Sequence, residues 1–323
     1  MSSRYYYLIF KEGEPLIFDT HTDILYNIVA KRLKGEKGIV QDYHIPEQLE
    51  GNITGGIWTY FTDIEHELDV NFDKAIEYIL EELEQSSDVR LVKSKGDWAD
   101  HKVNVILGFE SLAPIQDLNH LRKMYDLGFR HGMLTWNEVN HFGCGAGAVV
   151  DSGLTDLGCQ AVRLMNELGM VVDVSHASIK TMSDILDVTT EPVIASHSNC
   201  YALRPHRRNL TDGQIKAIAE VGGVIGVTAV PDFVHSDEYT IKRMVDHIDY
   251  IKKLVGSQHI ALGFDFMNYL SDDDSNSNLN DCRSAREAHL IIDELMNRGY
   301  SDMEIDGITH ANAKRVINHI LKD

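Results

Sequence analysis

Seven polar residues follow closely on short apolar runs, and all are of types that hold metal ions or move protons. Asp19, His21 and Asp23 follow Leu16–Phe18. Alternation in an extended chain turns all three the same way, so His21 and Asp23 can grip one ion from one side. Glu110 follows Val103–Leu107, His176 follows Val171–Val174, His197 follows Val193–Ala195 and Asp265 follows Ile260–Gly263. A mixed set of imidazoles and carboxylates suits Zn²⁺ or a similar first-row ion. One zinc uses three protein ligands and a water, which leaves ligands over. Two ions about 3.5–4 Å apart, sharing a carboxylate and a hydroxide, use them. The assignment expected is His21 and Asp23 on the first ion, His176 and His197 on the second, and Glu110 as the bridge. Asp265 is then free to take a proton on attack and deliver it to the leaving amine. The reaction class is metal-assisted hydrolysis, of an amide in the first place. In a chain with 16 histidines a single one is usually a surface or core residue, and a single Asp behind a strand is usually a helix cap. Independent caps have no reason to stand behind five different strands, so the weight lies in the conjunction.

Arg204, Arg207 and Arg208 form the densest arginine cluster of an acidic chain, shortly after His197. An arginine fork there can clamp a substrate carboxylate, against the plainer reading of a solvated charge run. Two other signals fail. Gly143–Gly147 is glycine-rich, but no Lys-Ser/Thr follows, so a mobile loop at the mouth of the fold is expected rather than a phosphate loop. Asp272, Asp274 and Asn276 imitate a calcium loop, but Ser277 and Arg283 stand where Gly and Glu are needed.

The elements that must position these residues are legible as alternation. Eight apolar, β-rich runs, the others being Gly56–Tyr60, His131–Leu134 and Val224–Val230, are separated by helical patterns over Asn71–Gln85, Asp156–Leu168, Thr211–Ala219 and Tyr239–Leu254. Thr155, Ser178 and Thr211 read as helix starts and Gly169 as a stop. Eight strand–helix units in 323 residues are the arithmetic of a (β/α)8 barrel of the TIM type, whose strand C-terminal ends meet at one mouth and carry the metal site. A doubly wound sheet would want a glycine-rich first turn, which Phe18–His21 lacks. The chain is expected to be one catalytic barrel domain over 1–323, with an amino-terminal hairpin at about 5–18. A polar loop is expected over Asn268–Arg283. With 43% hydrophobic residues disorder is excluded, and a net charge of −20 repels nucleic acid. The four cysteines lack metal spacing and are expected as thiols. No apolar run spans a membrane and the first residues lack a signal-peptide pattern, so the cytoplasm is the compartment expected.

Taken together, the motifs resemble those of the membrane (renal) dipeptidase family of zinc peptidases, within the amidohydrolase-like barrels. The resemblance is carried by Phe18–Asp23, Gly108–Glu110, Gly153–Asp156, Leu168–Ser178, Pro192–Ser198, Arg207–Asp212, Ile260–Phe266, Leu295–Tyr300 and Asn312–Val316, in order from about residue 16 to 320. It implies a (β/α)8 barrel, two Zn²⁺ per chain and hydrolysis of dipeptides. It also implies His21, Asp23, Glu110, His176 and His197 as metal ligands, Asp265 as acid and base, and Arg208 as the residue that binds the substrate carboxylate. Two positions depart from the family. Trp136 stands where mammalian-type members carry a substrate-binding histidine, and offers an apolar wall and one N–H; Asn137, Asn140 and His141 are the residues near enough to compensate. Asp265-Phe-Met-Asn268 replaces the usual Asp-Phe-Asp-Gly. The family's secretion signal and lipid anchor site are not recognised.

The leading expectation is thus a binuclear zinc dipeptidase acting through a metal-bridging hydroxide, with Arg208, Trp136 and Asn137 around the substrate. The alternatives are a related amidohydrolase acting on another small amide such as an N-acyl amino acid, and a metal-binding barrel without catalysis. The partner expected is a small dipeptide, without nucleic acid or membrane, and a homodimer is the one assembly allowed for.

Overall fold

In the computed structural model, residues 15–61, 68–270 and 278–323 are described. The first arm of the expected hairpin and the calcium-like stretch at 272–276 lie outside them. Among the described residues nine strands form one parallel sheet: β1 (Ile17–Thr22), β2 (Ile53–Tyr60), β3 (Val89–Leu91), β4 (Val103–Phe109), β5 (Phe129–Met133), β6 (Val171–Asp173), β7 (Ile194–Ala195), β8 (Val224–Val227) and β9 (Ile260–Leu262). β2 pairs with β4 and β1 pairs with β9, so eight strands close a TIM-type barrel while β3 flanks β4 outside the ring. The near-continuous apolar runs follow from burial on both faces, inward against the barrel interior and outward against the helices.

The helices begin and end where local chemistry dictates. Thr155, Ser178 and Thr211 each accept a backbone N–H of the first turn behind them, and Thr211 forms a capping box with Gln214. Gly169 closes helix Asp156–Leu168 in the left-handed region, at φ 80°.

The barrel interior is built in layers with the strand period of two. The lowest layer is apolar. Phe18, Ile57, Ile106, Val171, Ile194, Val224 and Ala261 come from seven different barrel strands and pack on Val316, Ile317 and Ile320 of helix Asn312–Ile320, which plugs that end. Two residues further along the same strands stand Thr20, Thr59, Gly108, Asp173, Ser196, Gly226 and Gly263, a layer of small and polar groups. There the strands crowd together: a Cβ on Gly263 would lie 1.7 Å from the Ser196 carbonyl oxygen, and one on Gly226 1.9 Å from it. A further two residues along, Glu110 and Asp265 reach the mouth. All four cysteines are free thiols, and no described helix is long and apolar enough to cross a membrane.

Candidate metal centre

At the mouth six of the seven residues read from the sequence come together. Glu110 Oε1 lies 3.5 Å from His21 Nε2, 3.0 Å from His176 Nε2 and 3.6 Å from His197 Nε2. Asp23 Oδ1 and Asp265 Oδ1 lie 3.8 and 3.9 Å from His21 Nε2. Three overlapping groups of donor atoms result: His21, Asp23 and Glu110; Glu110, His176 and His197; and His21, His197 and Asp265. Glu110, His21 and His197 each belong to two of them. Asp265 reaches the donor set itself rather than standing apart from it.

The outer atoms of each ring fix what the inner atoms present. His176 Nδ1–H donates to Asn137 Oδ1 at 3.0 Å, and His197 Nδ1 is 2.9 Å from Ser196 Oγ. The Asn137 contact gives His176 an Nε2 lone pair turned inward, the tautomer a metal ligand needs, and the Arg208 guanidinium, which can only donate, leaves His197 Nε2 as an acceptor. Burial, first of all, pushes both imidazoles well below the usual histidine range; Arg208 beside His176, and His21 beside His197, add to it. The two Nε2 atoms are 2.8 Å apart, a separation that either a shared proton or a shared cation accommodates. His21 Nε2 is buried without a hydrogen-bond partner. The carboxylates tell the same story. Withdrawal from water raises Asp23, Glu110 and Asp265; the charges of Glu110 and Asp265 raise Asp23 further and that of Asp265 raises Glu110, while His21 and Arg208 work against the rise at Asp265. A donor set of orphaned nitrogens and crowded carboxylates fits divalent cations.

Two residues of the donor set stand on strained backbone. His176 has φ 66° and Asp265 φ 56°, both in the left-handed region that side chains other than glycine avoid at a cost of about 1–3 kcal/mol. Neighbours hold them there. The Ala146 N–H donates to the His176 carbonyl at 2.7 Å, which pins the Gly143–Gly147 segment expected to be loose. Gly145 is required in it, because a Cβ would lie 2.0 Å from the Trp136 carbonyl oxygen. Asn278 Nδ2 donates to the Asp265 carbonyl at 2.8 Å, and Asn278 Oδ1 accepts from the Met267 N–H.

Other residues went unread as parts of the site. Thr59 Oγ1 donates to Asp23 Oδ1 at 2.8 Å. Asp173 Oδ1 accepts the N–H groups of Ser175 and Ser196, the residues just before His176 and His197, while its Oδ2 meets His131 Nε2 at 2.8 Å. Asp19 corrects the alternation argument. Beside a register irregularity between Asp19 and Thr22, its carboxylate stands outside the donor groups and accepts the backbone N–H of Phe264, at 2.9 Å.

Of the arginine cluster, Arg207 is exposed and Arg204 donates to the Asp232 carbonyl, whereas Arg208 is buried with Nη2 2.8 Å from His197 Nε2. Burial lowers the Arg208 pKa to about 10, so it stays charged at neutral pH. Trp136 stacks on His176, ring centroids 5.5 Å apart at 28°. Asn137 binds the His176 ring, Asn140 donates to Leu134 and Glu138, and His141 to the Ile115 carbonyl. None of these three thus copies a substrate-binding imidazole.

A sequence profile of the membrane dipeptidases, peptidase family M19, matches residues 12–322. The chain belongs to the membrane dipeptidase family. Membership makes it a metal-dependent hydrolase, a metallopeptidase. An uncharacterized dipeptidase of Schizosaccharomyces pombe is 33% identical over 285 residues, 77% of this chain and 68% of that one. Dipeptidase aclJ of Aspergillus oryzae is 31% identical over 225 residues, 68% of this chain and 52% of that one, so the chain spans about half of that relative's length. The barrel also superposes on the crystal structure of a metallopeptidase from Rhodobacter sphaeroides liganded with a phosphinate mimic of the dipeptide L-Ala-D-Ala. The TM-score is 0.83 at 21% identity, over 95% of this chain and 99% of that one, a likeness of fold.

Proposed function

We propose that this chain hydrolyses the peptide bond of dipeptides with two divalent ions, zinc in the first place, held in one barrel domain. His21, Asp23 and Glu110 would hold one ion, and Glu110, His176 and His197 the other. The observation that carries the reading is Glu110 Oε1 standing within 3.6 Å of three inward-facing imidazole nitrogens. Bound there, the ions supply a polarised carbonyl and a water that ionises near neutral pH. The chain's own groups do the rest. Arg208 offers a planar, permanently charged fork to the substrate α-carboxylate and so fixes which bond faces the centre. Asp265, at the edge of the donor set, takes the proton released on attack and passes it to the leaving amine. Its strained backbone, held by Asn278, keeps that carboxylate in place. The metallopeptidase from Rhodobacter sphaeroides that binds a dipeptide mimic adds support at the level of substrate class.

The test separates ligation from proton transfer. Protein purified with zinc should carry close to two equivalents by elemental analysis and hydrolyse dipeptides but not N-acetyl amino acids. Asp265→Asn should keep its metal and lose about 10²–10⁴-fold in kcat, the usual worth of a general acid–base group. His176→Ala should lose metal as well as activity. One tightly held equivalent with full activity sinks the two-ion reading, and loss of both ions from Asp265→Asn sinks the role given to Asp265.

A further inference from the structure

The cleft above the donor set has a volume of about 290 Å³, near the lower end of small-molecule sites and suited to a ligand the size of a dipeptide. Its floor is Asp23, Glu110, His176 and Asp265. Every other described residue that lines it is apolar or aromatic, and no Lys, Arg, Asn or Gln is among them. The aromatic part is continuous. Tyr26 and Phe61 have ring centroids 5.9 Å apart, Phe61 meets Trp136 edge-on at 5.2 Å, and Trp136 lies over His176. An unbroken aromatic row therefore runs from a metal ligand up the wall of the cleft, with Trp136 as the link between the two. Arg208, whose guanidinium lies over Phe233 at 5.5 Å, is reserved for the α-carboxylate. A charged side chain on the substrate would lose water against this wall and, among the described lining residues, find no partner of opposite sign outside the floor. A bulky apolar one would bury its surface on three contiguous aromatic rings.

We infer that the cleft selects dipeptides bearing a bulky apolar side chain, such as Leu, Met or Phe, and that Trp136 sets this selection. The inference rests on the dipeptidase reading above and names its substrate class. Trp136 touches the substrate side chain rather than the reacting bond, so its effect falls on the ratio between substrates. Hydrophobic pockets discriminate by about 10–200-fold for a small difference in apolar bulk.

The experiment pairs turnover with binding. kcat/KM is measured with zinc-loaded protein for Leu-Leu, Phe-Leu, Gly-Gly and Asp-Glu, and Kd is measured by calorimetry for phosphinate analogues of Leu-Leu and Gly-Gly. The wild-type protein should favour Leu-Leu over Gly-Gly at least tenfold in both readouts and disfavour Asp-Glu. Trp136→Ala should bring the ratio down about tenfold, and Trp136→Phe, which keeps an apolar ring, should retain most of it. Trp136→His carries the same expectation as the Ala variant and covers the case in which that variant does not fold. A wild-type ratio near one in binding overturns the inference, as does a ratio that Trp136→Ala and Trp136→His leave untouched. No turnover of any dipeptide, with the binding ratio intact, overturns the dipeptidase reading and leaves the apolar selection standing.

Discussion

Arg208 is the residue at which a dipeptidase and a general amidase part company. A free α-carboxylate needs a fixed cation, and within the cluster only Arg208 combines burial with a guanidinium at the donor set; Arg207 faces solvent. The Arg208 Nε atom has no hydrogen-bond partner, so part of its fork is left for a ligand. Lys would bring the charge without the bidentate geometry. Arg208→Met should lower kcat/KM for free dipeptides by about 30-fold or more, since removing one member of a buried charge pair costs about 2–5 kcal/mol. The same dipeptides amidated at the carboxyl end should be poor substrates of the wild-type protein and lose little further in the variant. Steady-state kinetics on the two substrate series checks this. Equal losses on both would make Arg208 a structural residue, acting through its contacts to His197 and Phe233.

At the scale of elements, the barrel works by stacking a metal layer on a crowded layer. Thr20 Oγ1 donates toward the Ser196 and Leu262 carbonyls, 2.6 and 2.9 Å away, and ties β1 to β7 and β9 beneath the ligands. Gly263 leaves the room for this. Gly263→Ala would drive a Cβ to 1.7 Å from the Ser196 carbonyl, next in the chain to His197. Overpacking of this kind costs about 1–3 kcal/mol. The variant should unfold at correspondingly lower urea and hold zinc more weakly in a competition with a chelator. Gly213→Ala, in a helix with nothing nearer than 3.9 Å to its new Cβ, should do neither. The strands were readable because burial on both faces leaves near-continuous apolar runs, and helix Asp156–Leu168 because Thr155 and Gly169 mark its ends. The flanking strand β3 was not: three partly exposed residues carry too little pattern. Nor was the backbone at His176 and Asp265, because left-handed residues other than glycine leave no compositional mark. Asn278 stood in a stretch readable only as polar, and its hold on Asp265 depends on contacts between distant loops. The donor residues themselves were legible since they stand at strand ends, His21 and Asp23 together on β1 and the others each behind a different strand. What surrounds them was not, since Asn137, Ser196 and Thr59 become partners only when strands and loops far apart in sequence close on one mouth.

For the whole molecule, acid acts through histidines that the fold keeps neutral. His44 is buried against Tyr269, with Nε2 3.0 Å from Asn27 Oδ1, and its pKa is pushed down to about 3, by burial first and then by Lys31. His247 uses both nitrogens in one neutral tautomer: Nε2–H donates to the Val234 carbonyl and Nδ1 accepts the Cys200 N–H, and burial lowers its pKa to about 4. In the unfolded chain both titrate near 6.5. Below that pH the unfolded state binds protons that the folded state refuses, so stability rises with pH. Their contribution is therefore complete above about pH 6.5 and is lost as pH falls from there toward about 4. Each histidine gives a slope of at most about 1.4 kcal/mol per pH unit in that window. The net charge of −20 shrinks over the same range, which relieves self-repulsion and works the other way, so the total slope alone decides nothing. The difference between variants does. In chelated protein, urea unfolding at pH 7.5, 6.0 and 5.0 should show a shallower fall of stability for His247→Gln than for the wild type, by up to about 1.4 kcal/mol per unit. His44→Gln combined with it should flatten the curve further. Parallel curves for all three proteins would mean that the two buried imidazoles already accept protons in the folded state.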